Sequence, residues 1–128
     1  MKTEKNQTET ESYLLYVEMQ IKMLDEDVRK DLEEIAVNPC NGLVWNAEHL
    51  YKKSYKSNYM KNLVKAVRDS ENDPKEVVLT YKARLQNEMN SSELMNSTSM
   101  MRNCSTIWNL QILRDIQDEV ELMIKHIG

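Results

Sequence analysis

The sequence predicts an all-α fold: an elongated antiparallel bundle of about four helices, with coiled-coil-like first and last members. Leu14, Val17, Ile21, Leu24, Val28 and Ile35 near the start recur at steps of three and four. So do Leu110, Leu113, Val120, Ile124 and Ile127 at the finish, and such spacing draws one apolar seam along each helix. Only two glycines and two prolines interrupt 128 residues, so the places where the chain can turn are few. With no Phe, apolar bulk falls to Leu, Ile, Val, nine Met, six Tyr and two Trp, giving a core that adapts easily but specifies itself weakly.

Residues 1–9 read as a frayed polar leader, and 10–128 as a single helical domain. Thr8 with Glu11 three positions on reads as a capping box opening a helix over about 10–36. Asp31 interrupts its seam, with Leu32 taking over, and Glu18, Asp25, Glu26, Asp27, Asp31, Glu33 and Glu34 make its surface acidic. Asn38-Pro39-Cys40-Asn41-Gly42 reads as the first turn, because proline disfavours helix at Asn38 and Asn-Gly suits left-handed conformations. A second helix is expected over about 44–69. Its broad apolar face carries Tyr51, Tyr55, Tyr59, Met60, Leu63, Ala66 and Val67, with Lys53, Lys61, Lys65 and Arg68 opposite.

The sharpest local signal is Asp73-Pro74 followed by Glu76: an N-cap, a proline at the first helical position and a reciprocal acid. It opens a helix over about 74–89 that should bury Val77, Val78, Tyr81, Leu85 and Met89. Asn, Ser, Thr and Met then dominate 90–105, which reads as a loop whose only apolar residues are Leu94, Met95, Met100 and Met101. Ser105 or Thr106 caps the last helix, about 107–126, where Ile112, Ile116 and Met123 add apolar surface beyond the main seam. A helix that is apolar on several sides is central or covered by another chain.

The charge pattern frames the functional reading. Residues 51–68 hold Lys52, Lys53, Lys56, Lys61, Lys65 and Arg68 and no acid, a formal +6 in a chain that totals −4, so the rest sums to −10. Basic residues interleaved with Tyr can hold phosphates and stack bases. The favoured account is plainer: this helix packs beside the acidic first helix, and its tyrosines are core.

Chemistry-bearing patterns are otherwise absent from the sequence. Cys40, Cys104, His49 and His126 lack the spacing that puts two ligands on one metal, so neither metal nor cofactor is expected, and the two cysteines read as small buried hydrophobes. No Gly-rich phosphate loop occurs, no Cys stands near a His, and the carboxylates fall on solvated faces, all of which argues against an enzyme. Trp45 and Trp108 each stand where a helix was expected to begin, a place where Trp more often pins a helix to its core than anchors a partner. The opening residues carry no apolar signal segment, and nowhere do the roughly 18 consecutive apolar residues of a membrane span occur. The Asn-x-Ser/Thr triplets at Asn6, Asn90, Asn96 and Asn103 then reflect composition.

Tyr59 and Val64-Lys65-Ala66-Val67, followed by a Pro-containing turn and a helix through Leu85, resemble the helical N-terminal region of the SUMO ligase that sits on a chromosome-maintenance coiled coil. The resemblance rests on common residue types, and that family's zinc-binding Cys and His cluster is missing here. The expectation is therefore a soluble, intracellular, cytoplasmic or nuclear, non-enzymatic adaptor. It would dock through Leu14, Val17, Ile21, Leu24, Val28, Leu110, Leu113, Val120 and Ile124 on a helical protein or a second copy, without contacting membrane. The alternative is a nucleic-acid- or chromatin-associated factor that uses the 51–68 helix, with Lys53, Lys61, Lys65 and Arg68 as its contacts.

Overall fold

The computed structural model describes the backbone of residues 4–71, 73–94 and 100–127, and the side chains of residues 9–71, 73–91 and 107–127. Four helices make up the described chain: α1 (Glu4–Val37), α2 (Pro39–Asp69), α3 (Pro74–Leu94) and α4 (Met100–His126). At 34 residues α1 is about 50 Å long, which sets the long dimension of the bundle.

Cross-helix pairs fix the directions. Arg68 meets Glu11 and Glu18 while Lys53 meets Asp31, so α1 and α2 run antiparallel. Tyr55 bonds Glu88 and Tyr59 reaches Tyr81, which makes α2 and α3 antiparallel as well. Lys52 to Gln111 and Lys56 to Asp115 show α2 and α4 running in parallel. The two hairpins α1–α2 and α3–α4 thus pack with α2 and α4 touching across the diagonal, and α1 and α3 hold the outer positions, with no packing between them among the described residues. The square of an ordinary four-helix bundle is flattened to a rhombus.

The core lies along that diagonal. Met60, Leu63, Val64 and Val67 of α2 and Ile112, Leu113, Ile116, Val120 and Met123 of α4 are buried together with Leu14, Val17 and Ile21 of α1 and Val78, Leu85 and Met89 of α3. Each such aliphatic side chain withdrawn from water stabilises by about 1.5–3 kcal/mol. α4 is central, as its apolar positions on several sides predict.

Three boundaries differ from those the sequence predicts. α1 begins at Glu4 and not at residue 10, so Thr8 lies inside the helix instead of capping it. The turn at 38–42 shrinks to Asn38 alone: its φ of −140° and ψ of 82° break the helix, and Pro39 opens α2 at once. No described residue has positive φ, so Asn41 and Gly42 are helical. Gly42 is there for another reason. A Cβ on it would stand 2.7 Å from the Ile35 Cα and 2.9 Å from the Glu34 carbonyl oxygen, so only glycine lets α2 start flush against the end of α1. Finally, α3 runs on to Leu94 and α4 starts at Met100, replacing most of the expected loop; Ser105 and Thr106 are therefore inside α4. The modest helix penalty of Asn, Ser and Thr is readily overridden by tertiary context. The cap of α3 is as expected: Asp73 Oδ1 accepts from the Lys75 amide at 3.1 Å, and its carbonyl accepts from the amides of Glu76 and Val77. Residues 95–99 of the expected loop, residues 1–3 of the leader and the Cys104 side chain lie outside the described residues.

Candidate interaction surface

Both seams pack inside the chain, that of α1 chiefly against α2 and that of α4 chiefly against α3 and α2. Leu14, Val17, Ile21, Leu113 and Val120 are buried in its own core, and Leu24, Val28, Leu110 and Ile124 are partly exposed along the edges. A partner could reach the first five only by opening the bundle, so the surface left to it has to be sought on other faces.

The basic face of α2 meets the acidic helix, as the plainer account of the charge pattern expects. Arg68 Nε donates to Glu18 at 2.7 Å while its Nη1 donates to Glu11 at 2.9 Å. Lys61 Nζ stands 2.8 Å from Asp25 and Lys53 Nζ 3.3 Å from Asp31. Lys56 turns the other way, to Asp115 at 3.1 Å and Glu119 at 3.5 Å on α4. Asp31, which looks like a flaw in the seam, is the partner of Lys53. Asp25 accepts from both Lys61 and the buried Ser57 hydroxyl. Partial burial alone would raise its pKa, but those bonds outweigh it and hold the carboxyl below the usual range. Among the described residues Lys65 has no ion-pair partner.

The tyrosines of α2 are packing residues with polar tips. Tyr55 donates to Glu88 and Tyr59 to the Tyr81 carbonyl, while Tyr51 donates to Asn109 and lies 6.0 Å, ring to ring, from Trp108. Burial, with Glu88 nearby, pushes the Tyr59 phenol up to about 12. Tyr13 of α1 stacks on His126 at 4.8 Å, pinning the two ends of the chain together, and it too is raised to about 12 by burial and by Glu119. Trp108 thus packs on α2, whereas Trp45 stands exposed in the second turn of α2. Cys40 is exposed as well, against the expectation of a buried thiol, because α2 begins early enough to place it on the outer first turn.

No group of three or more His, Cys, Asp or Glu among the described residues could hold a metal ion. No described helix is long and apolar enough to cross a membrane.

Sequence reasoning missed the outward face of α1. Leu15, Tyr16, Met19 and Met23 are each more than half exposed on a helix whose other side is core. Steps of four from Leu15 to Met19 to Met23 carry this stripe, and that signal was present in the sequence behind the stronger seam. Beside it an open groove of about 420 Å3 runs between α1 and α2, lined by Glu18, Ile21, Lys22, Asp25, Lys61, Val64, Lys65, Arg68 and Asp69.

No protein-family model, no curated protein and no solved structure matches this chain.

Proposed function

We propose that this protein is a non-enzymatic helical interaction subunit, docking on another helical protein or on a second copy of itself in the cell interior, cytoplasmic or nuclear. The observation that carries the reading is the stripe Leu15, Met19 and Met23 on the outward face of α1, with the seams and most of the α2 cations already used inside the chain. Flexible Met and Leu side chains at helical spacing repack readily against an opposing helix. Association through nucleic acid is the weaker reading, because Lys53, Lys61 and Arg68 are paired with carboxylates of α1 and phosphates would have to displace them.

Quantitative co-purification from the cells that make the protein tests this, comparing it with its Met19→Glu form. Met19 is 60% exposed, so the substitution leaves the fold intact. A partner, or a second copy, held by the unmodified chain and lost by the variant supports the reading. Identical sets of partners overturn it.

A further inference from the structure

The hairpin end where α1 meets α2 stands apart from the rest of the surface. Residues 35–47 hold no Asp, Glu, Lys, Arg or His, the longest such stretch in a sequence that is 30% charged. The turn at the other end of α2 shows what water ordinarily asks of such a place: residues 66–78 carry Arg68, Asp69, Glu71, Asp73, Lys75 and Glu76. The uncharged end is also the most apolar. Val37, Val44 and Trp45 are 86%, 79% and 75% exposed, more than any other large apolar residue described, and Leu43 is more than half exposed. Leu43, Val44 and Trp45 are consecutive on a helix, so they spread over about 200° of its circumference and leave to α1 only the side of the buried Gly42 and Asn46.

The backbone of this end is equally suited to leave water. Its connection is one residue long: the Asn38 amide donates to the Glu34 carbonyl, the Gly42 amide to the Asn38 carbonyl and the Asn46 side chain to the Gly42 carbonyl, while Pro39 has no N–H to satisfy. The charges also begin at a telling depth. Measured back from the turn, Glu34 lies about 5 Å along α1 and Glu48 about 13 Å along α2, and interfacial segments enter a bilayer by about 5–10 Å.

We propose that this hairpin end inserts into the surface of an uncharged bilayer, α2 side deeper, with Leu43 and Val44 among the upper acyl chains and the Trp45 indole at the headgroups. A convex apolar end demands a cavity shaped to it in a protein partner, whereas a bilayer closes around it without one. The contact is peripheral, needs no helix that crosses, and is independent of the stripe on α1. With Glu33, Glu34 and Glu48 behind the end of a chain of net charge −4, anionic lipid adds repulsion, so apolar burial drives the contact.

Vesicles of phosphatidylcholine test it, with the full chain carrying Trp108→Phe so that Trp45 alone reports. The expected result is a blue shift of Trp45 emission, quenching by phosphatidylcholine brominated on its acyl chains, and sedimentation of the chain with the vesicles. Val44→Glu lowers that binding about tenfold or more, Met19→Glu leaves it unchanged, and added phosphatidylserine weakens it at low salt. Residues 19 and 44 are exposed, and unchanged circular dichroism of every variant confirms that it folds. Neither shift nor sedimentation at millimolar lipid overturns the inference. So does binding that Val44→Glu leaves intact or that Met19→Glu abolishes. If vesicles do nothing but Val44→Glu strips a protein from the chain in co-purification, the end is a protein contact and the bilayer is refuted, with the reading of the stripe untouched.

Discussion

Two single residues carry more of this fold than their size suggests. Gly42 sits inside a helix, where Gly→Ala ordinarily stabilises by about 1 kcal/mol. Here the new methyl group would meet backbone atoms of Ile35 and Glu34 that cannot swing aside. Gly42→Ala should therefore destabilise by about 1–3 kcal/mol, the cost of overpacking, as read by urea unfolding. A gain in stability would mean that the helices do not approach this closely. Asp73 is the second case. Its carboxylate takes the Lys75 amide, so Asp73→Ala should cost about 1 kcal/mol while Glu71→Ala, in the same turn, costs little. The phenols make a third prediction. Tyr13 and Tyr59 are raised to about 12 against roughly 10 in the unfolded chain, so the folded state favours their neutral forms. Stability from this source is intact below pH 10 and falls as pH rises through 12. Ultraviolet titration at 295 nm should show part of the tyrosinate signal appearing only with unfolding; ionisation of all six phenols with a midpoint near pH 10 and helix content intact would refute it.

At the scale of elements, α1 and α2 are joined by charge as well as by packing. Every pair across their interface is at least partly exposed and contributes at most about 1 kcal/mol, but three cations placed against acids, Lys53, Lys61 and Arg68, act together. Replacing Lys53, Lys61, Lys65 and Arg68 by Glu should lower the melting temperature at low ionic strength, with partial recovery as salt screens the repulsion. An unchanged melting temperature would show that the pairs carry no weight. Periodicity made these helices legible: the seams, the tyrosine face of α2 and the cap at Asp73 all rest on spacing along one helix. The ends were less legible. Whether Asn38 alone can turn the chain depends on how closely two helices approach, and that is a property of Gly42 against Ile35, residues whose contact no local pattern announces. The outward stripe was hidden for a related reason: Leu15, Met19 and Met23 look like extra core until the neighbouring helices are known to lie on the other side.

For the whole molecule, the flattened arrangement concentrates stability on α2 and α4. Leu113 is fully buried at their contact, so Leu113→Asp places an unpaired charge in the core and should unfold the chain at a cost of several kcal/mol. Leu24 is partly exposed and lines a small cavity of about 90 Å3 with Ile21 and Met60, so Leu24→Asp should be milder and leave a folded chain. Equal losses by circular dichroism would put both residues in one dry core and contradict the described burial.

The diagonal contact also has a kinetic consequence. Within each hairpin pairing can zip outward, from Lys53 with Asp31, 22 positions apart, in one and from Gln86 with Gln117, 31 positions apart, in the other, so each further closure is short once the one before it is made. Contacts between α2 and α4 join residues some 59 positions apart, as in Lys52 to Gln111 and Lys56 to Asp115. Two hairpins that form first and dock last would place the rate-limiting barrier at that docking. Leu113→Ala should then mainly speed unfolding, while Gly42→Ala, acting at a turn that is already made, should mainly slow folding.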